Sequence, residues 1–296
     1  MANLRDIRNR ISSIQNTQQI TKAMKMVAAA TLRKAQNRLV DTRPYAEKIK
    51  DVVARLVYST EEDNVLLRQP DEVENVLVIV ISSDRGLCGA FNNNLFKVVE
   101  QKISEDLNEY YENDRLSLVT IGRKACNHFG KRGYNVIQKF DGFFDDLQYN
   151  KTCDIMNKAI KDFLAGKYDQ VYLAYNEFKS VLTQNRIFKS VLPIDPVQLV
   201  QDGDTDEEHI DYIFEPNIDA ILDDLLPLHL NMQLWRAVLE SNAAEQGARM
   251  TAMDNATENA KELERDLRLE YNQARQSAIT TEISEIVSGA QALSES

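Results

Sequence analysis

Apolar residues at the start of the chain fall at helical intervals: Leu4, Ile7, Ile11 and Ile14 form one row, and Ile20, Met24 and Val27 a second. Residues 4–39 contain neither glycine nor proline, so the spacing predicts one long helix. The polar run Gln15, Asn16, Thr17, Gln18 and Gln19 lies between the rows, and basic residues are scattered on every side. Such a helix is a rod that needs partners on several faces. After Pro44 the stripe resumes at Tyr45, Ile49, Val52, Val53, Leu56 and Val57, with the proline marking a kink or a restart. If helical throughout, residues 2–58 would span about 85 Å at ~1.5 Å per residue, so part of the rod is expected to project.

A polar connection over 59–74 precedes a change of pattern. Residues 75–81 (NVLVIVI) are continuous, apolar and β-branched, as in a strand buried on both faces. A turn at 82–90 leads into a helix near 89–108. The alternation continues with a strand at 116–121, helix 123–131, strand 135–140, helix 151–164 and strand 170–178, and a strand at 186–192 sits close enough to the last to form a hairpin. Strands alternating with helices over 75–200 predict a layered, Rossmann-like α/β domain with a mostly parallel sheet. An acidic connection, 201–216, follows. From 217 to 296 the chain is helical in character. Leu225, Leu228, Met232, Trp235 and Leu239 alternate three- and four-residue spacing, and Met253, Ala256, Ala260, Leu263 and Leu267 resume it. Between these blocks Asn242, Gln246 and Arg249 hold the seam beside small residues that would let a second helix approach. A helix of that length has one match in the chain, the helix of residues 1–58. The expected fold class is α/β: a long antiparallel coiled coil of the N- and C-terminal helices plus the central domain.

Charge sharpens this picture. The net charge is −11, yet residues 1–58 hold twelve Lys or Arg against four acids, while residues 202–230 hold ten acids and no Lys or Arg. A basic arm on an acidic chain suits nucleic acid or an acidic protein partner, and composition does not choose between them. Cys88, Cys126 and Cys153 are odd in number and lack CxxC spacing, which speaks against a disulfide framework or a zinc site and fits a reducing compartment. No apolar run approaches the ~20 residues of a membrane span, and no signal-type core opens the chain. A soluble protein is expected.

The candidate chemistry is thin. The turn at 83–92 follows a buried strand and opens a helix, where α/β folds often bind phosphate. It has only Gly86 and Gly89, matches neither GxGxxG nor GxxxxGK[ST], and reads more simply as a tight turn. Cys88 has no nearby histidine and reads as structural. His128, His209 and His229 lack ligand spacing, and the acids of 202–224 lack the pattern of a calcium loop. Few aromatics interleave the basic positions Arg5, Arg8, Arg10, Lys22, Lys25, Arg33, Lys34 and Arg38, which argues against single-strand stacking. No catalytic residue, metal site or cofactor site emerges.

Read together, the two ends resemble the γ-subunit family of F-type ATP synthases, bacterial type. IQNTQQITKAMKMVAA (14–29) is similar to the family's N-terminal signature. GARMTAMDNAT (247–257) and YNQARQSAITTEISEIVSGAQA (271–292) are similar to its C-terminal ones, and SDRGLCGA (83–90) and DYIFEP (211–216) also match. The chloroplast form's inserted cysteine-pair segment is absent, so thiol regulation of that kind is not expected. The resemblance implies a non-catalytic rotor shaft inside a ring of three α and three β subunits, with a foot on the membrane c-ring. On that resemblance no cofactor, nucleotide or nucleic acid is expected to bind. Met24 and Lys25 would meet the acidic lever loop of β; Arg275, Gln276, Thr280 and Glu282 would engage the ring's catch region; Tyr212 and Glu215 would lie in the foot near the c-ring and the ε subunit. The implied location is peripheral, on the cytoplasmic side of the cell inner membrane, and the lack of a transit-type leader favours a bacterial chain.

Overall fold

The computed structural model describes residues 4–59, 64–67, 70, 72–196 and 217–294. Helix α1 (Leu4–Ser59) is one element of 56 residues with Pro44 inside it. The middle of the chain supplies β1 (Val76–Ile81), α2 (Phe91–Asp106), α3 (Asn108–Glu112), β2 (Leu116–Ile121), α4 (Arg123–Gly130), β3 (Val136–Phe140), α5 (Tyr149–Leu164), β4 (Gln170–Phe178) and β5 (Gln184–Leu192). Helix α6 (Ile218–Ser294) closes the described chain. Two compact units are distinguished, Met1–Ala28 with Met250–Ser296, and Ala29–Arg249. The acidic connection and its residues Tyr212, Glu215 and His209 lie outside the described residues.

In the second unit the sheet order is β3-β2-β1-β4-β5, parallel throughout except for the antiparallel β4–β5 hairpin. Every residue of β1 is buried. Leu77, Ile79 and Ile81 face one layer with Ile49, Val53 and Leu56 of α1, Ile155, Met156, Ala159, Ile160 and Phe163 of α5, and Leu222, Leu226, Leu230 and Leu234 of α6. Val76, Val78 and Val80 face the other, with Leu95, Phe96, Val99 and Ile103 of α2 and Ala125 and Phe129 of α4. Strand order runs outward from β1 to β3 and resumes at β4 on the opposite side, so a switch point lies between the carboxyl ends of β1 and β4.

Three details depart from the sequence reading. The polar connection is not all surface: Leu66 is buried in the α1/α5/α6 layer, its N–H bonded to Asn64 Oδ1 (2.9 Å) and its carbonyl accepting from Ile194 N (2.8 Å). On α6 Met232 and Leu239 of the expected stripe are buried together with Leu222, Leu226, Leu230, Leu234, Ala237 and Val238, whereas Leu225, Leu228 and Trp235 lie half-buried on its flank. A helix that meets a sheet and neighbouring helices is apolar on more than one face, and a coiled-coil template then picks only part of the buried surface. Finally, a Cβ on Gly247 would meet Phe178 Cε2 at 3.4 Å and Val181 Cα at 3.5 Å. The small residues there admit the β4–β5 hairpin as well as α1, whose Leu32 and Ala35 pack against Ala243.

The turns at the carboxyl ends of β1, β2 and β3 are held by one carboxylate. Asp84 Oδ1 accepts from the backbone N–H groups of Arg123 (2.9 Å) and Gly142 (2.8 Å), and Oδ2 from that of Phe144 (2.8 Å). Beside it Gly122 sits at φ +95°, and a Cβ there would lie 2.2 Å from Ser82 O. Gly122→Ala should therefore lower stability by about 2–5 kcal/mol, strain and backbone clash together, read as a fall in the urea midpoint.

His229 on α6 is 4% exposed and takes a hydrogen bond from Gln233 Nε2 onto Nε2 (2.6 Å). Burial, reinforced by the Lys189 and Lys50 ammoniums, pushes its pKa down from 6.5 to about 4. The folded state keeps the ring neutral while the unfolded chain takes up a proton, so this contribution is complete above pH 6.5 and lost as pH falls to about 4. Its size is about 3 kcal/mol at ~1.4 kcal/mol per pKa unit. Urea unfolding at steps from pH 7 to 4.5 should show a shallower loss of stability in His229→Gln than in the wild type; parallel curves would mean that the ring is not held neutral.

Candidate functional site

The glycine turn after β1 stands at the switch point, where a phosphate would be expected, but its polarity is inverted. Arg85 O and Gly86 O both accept from Arg249 Nη2 at 3.3 Å. Ser83 N donates to Asn92 Oδ1 (3.0 Å), Ser83 Oγ to Arg85 O (2.8 Å), and Asn92 Nδ2 to Ser83 Oγ (2.8 Å) and Cys88 Sγ (3.3 Å). A phosphate loop aims N–H groups outward; this turn presents carbonyls to a guanidinium from its own chain. Arg249 also pairs with Glu245 at 2.5 Å, and both side chains are at most a tenth exposed. Burial raises the Glu245 pKa, opposed by Arg249. Losing one partner of such a pair costs about 3–5 kcal/mol, because it strands a buried charge. Burial likewise raises the Cys88 thiol, which leaves no ready thiolate. His128 stacks on Phe96 at 4.3 Å and contacts Glu100 at 2.9 Å, a packing role.

In the first unit the two long helices pair antiparallel through a largely polar seam. Lys25 Nζ meets Asp254 Oδ1 (2.5 Å), Thr21 Oγ1 meets Thr257 Oγ1 (2.8 Å), Gln15 Nε2 donates to Glu264 Oε1 (2.8 Å), and Arg8 Nη2 donates to Tyr271 OH (2.7 Å). The paired numbers add up to 278 or 279 each time, so one register holds along the unit. The apolar contribution is sparse: Ile7, Ala28, Met253, Ala260 and Leu267 are buried. The Lys25–Asp254 pair is 38% and 50% exposed and so contributes under about 1 kcal/mol. The threonine pair is buried, and each hydroxyl also reaches a carbonyl of its own helix, Gln18 O (3.1 Å) and Met253 O (2.7 Å). Losing the pair therefore costs about 1 kcal/mol and strands neither group.

This register corrects the two rows read from the sequence. The seam passes from Ile7, Ile11 and Ile14 through Gln18 and Thr21 to Ala28, in phase, while Ile20 and Val27 are 59% and 66% exposed. Of the second row, Ile20 and Val27 lie on the outer face, while Met24 is half-buried. On α6, Thr257 and Glu264 take seam places expected of Ala256 and Leu263, and Leu263 is exposed. Of the candidate residues, Met24 is half-buried beside the outer row and Lys25 is engaged with Asp254. Arg275, Gln276, Thr280 and Glu282 are all exposed. By the register Leu4, the first described residue of α1, stands opposite residue 275, so α6 beyond that point is bare among the described residues of this unit. There Ile279, Ile283, Ile286 and Val287 form an exposed stripe at helical spacing. That spacing was readable from the sequence, but the missing partner was not.

Three comparisons bear on this arrangement. A family model described as ATP synthase matches residues 3–293. The chain is similar to the ATP synthase gamma chain of Chlorobium phaeobacteroides (strain BS1), 50% identical over 296 residues that cover 99% of each chain. It is 49% identical over 303 residues to that of Chloroherpeton thalassium, each covered in full. Among solved structures, a chain of the Euglena gracilis mitochondrial ATP synthase (OSCP/F1/c-ring, rotational state 3) superposes with a TM-score of 0.68 at 20% identity, over 98% of this chain and 94% of that one. At that identity the likeness speaks for the fold.

Proposed function

The chain belongs to the ATP synthase gamma-chain family, and from that premise we propose that it is the non-catalytic central rotor of an F-type, proton-translocating ATP synthase. It carries torque between a membrane c-ring and the catalytic sites of an α3β3 ring. The observation that carries this reading is the helix pair of the first unit: a register locked by polar contacts, with apolar and polar side chains left on its outer faces. A pair whose own seam is narrow keeps its outer surface for other proteins. Residues 1–58 and 217–296 serve as the shaft and 75–200 as the foot domain, joined by the connections 59–74 and 201–216.

Met24 and Lys25, with exposed Ile20 and Val27 on either side, face the β lever loops. Arg275, Gln276, Thr280 and Glu282 engage the catch region, and Tyr212 and Glu215 are assigned to the c-ring and ε side on their matched segment. One asymmetric shaft touches three identical β subunits differently, and each subunit's nucleotide-binding conformation shifts by the difference in contact energy. A difference of about 1.4 kcal/mol moves such an equilibrium tenfold, which a few hydrogen bonds supply. The turn at 83–92 presents the carbonyls of Arg85 and Gly86 to Arg249 of its own chain, which supports a subunit that binds no nucleotide. Among the described residues no helix is long and apolar enough to cross a membrane. Association with the cytoplasmic face of the inner membrane then runs through the complex.

Expressed with α and β subunits, the chain should co-purify with them in one copy per ring. Saturable nucleotide binding by the isolated chain would overturn the non-catalytic assignment. Met24→Lys adds a second ammonium beside Lys25 and should tighten contact with an acidic loop, lowering protons pumped per ATP in membrane vesicles while the chain still assembles; unchanged coupling would displace the contact from this position.

A further inference from the structure

In the second unit a triangle of polar groups joins helices α2 and α4. The ring of His128 on α4 stacks on Phe96 of α2 at 4.3 Å and meets Phe129 edge-on at 5.0 Å, which fixes its plane. Its Nε2 then stands 2.9 Å from Glu100 Oε1 of α2 and 2.8 Å from Nη1 of Arg132, just beyond α4. Arg132 Nη1 also donates to the same Glu100 oxygen. One ring nitrogen thus faces a donor and an acceptor together, and it cannot serve both in one protonation state. Two nitrogens 2.8 Å apart share a hydrogen, and a guanidinium does not give its own up. With the ring neutral, Nε2 is therefore the acceptor, and Arg132 bridges it to the carboxylate. Among the described residues Nδ1 makes no hydrogen bond, so it can carry the neutral ring's proton without breaking a contact.

We infer that His128, Glu100 and Arg132 form a proton-dependent brace between α2 and α4. A proton taken from solvent enters at Nε2, the new N–H donates to Glu100 Oε1 across the distance already set, and the charge on the ring drives Arg132 off it. Only Arg132 has to move, and its side chain is exposed. It lies between α4 and the edge strand β3, so the charge presented there changes with pH. Imidazole is the side chain whose charge ordinarily changes within about pH 5–8. Around the triangle, Lys139 of β3 reaches α4 at Gly130. Tyr134, its hydroxyl pushed up by burial and by Glu100, packs against Tyr111 of α3 at 5.1 Å. Neither lysine nor tyrosine ordinarily changes charge in that range, so the exchange of partners belongs to the ring. The inference does not depend on the rotor reading.

The test uses the full chain labelled with nitrogen-15. In imidazole NMR spectra, with the His128 signals identified by their loss in His128→Phe, the ring at pH 8 should carry its proton on Nδ1 and leave Nε2 bare. Arg132→Met, which changes an exposed side chain, should move that proton to Nε2. The ratio of the two neutral forms should shift about tenfold, as expected for one hydrogen bond to a charged group. Arg132→Lys should keep Nε2 bare. A double-mutant cycle of His128→Phe and Arg132→Met in urea unfolding should show coupling that favours folding at pH 8 and opposes it at pH 5.5. The cycle of His128→Phe and Glu100→Gln should strengthen over the same interval. A proton on Nε2 at pH 8, or coupling of His128 to Arg132 that is the same at both pH values, would refute the inference.

Discussion

A strand that is buried on both faces has to be covered twice, and β1 imposes that condition on everything around it. Its alternate residues enter two separate layers. One is filled by α2 and α4, which are short and locally connected. The other is filled by α5 together with parts of α1 and α6, the two longest elements of the chain. The long helices are thus fixed by core packing over part of their length, at Ile49, Val53 and Leu56 on one and from Leu222 to Val238 on the other. At roughly 1.5–3 kcal/mol for each large apolar side chain fully buried, that anchoring far exceeds any contact in the polar seam.

The first unit works by a different balance. Its buried apolar residues are few, and hydroxyl, amide and ion pairs fill the places between them. Each such contact contributes about 1 kcal/mol or less net, but a slip of register would leave several of them unmet at once. Specificity of alignment therefore comes from polar groups and adhesion from a handful of apolar ones. A seam built this way leaves the outer faces free to carry exposed apolar residues such as Ile20 and Val27.

The sequence made the fold class legible because its strongest signals are local. Apolar runs, rich in β-branched residues in β1 and β2, mark β1, β2 and β4, and long periodic stretches poor in breakers mark α1 and α6. What it concealed depends on segments far apart in the chain. Leu66 looks like part of a polar connection until Ile194 pairs with its carbonyl. Asp84 is one acid in a short turn until three distant N–H groups converge on it. Ile20 and Val27 share the helical period with the true seam, and only the register set by Thr257 and Asp254 shows that they face outward. The polar run from Gln15 to Gln19 lies between apolar rows in the sequence; Gln15 and Gln18 lie on the helix-pairing face, and Glu264 explains why glutamine stands at position 15.

The glycine turn shows how a fold position can be kept while its chemistry is reversed. Two glycines, a preceding buried strand and a following helix are what a phosphate loop needs from the backbone, and all are present. What decides the ligand is the orientation of the peptide groups, and here Arg249 selects the carbonyl side. The guanidinium in turn requires Glu245 to balance its charge in a buried place, and burial of Glu245 is tolerable only because Arg249 is there. This pair belongs to the same helix, one turn apart, so it comes ready-made to the switch point. On this side of the turn two carbonyl dipoles are turned toward Arg249, whose charge is balanced by Glu245. Through these contacts the turn fastens α6 to the carboxyl end of β1.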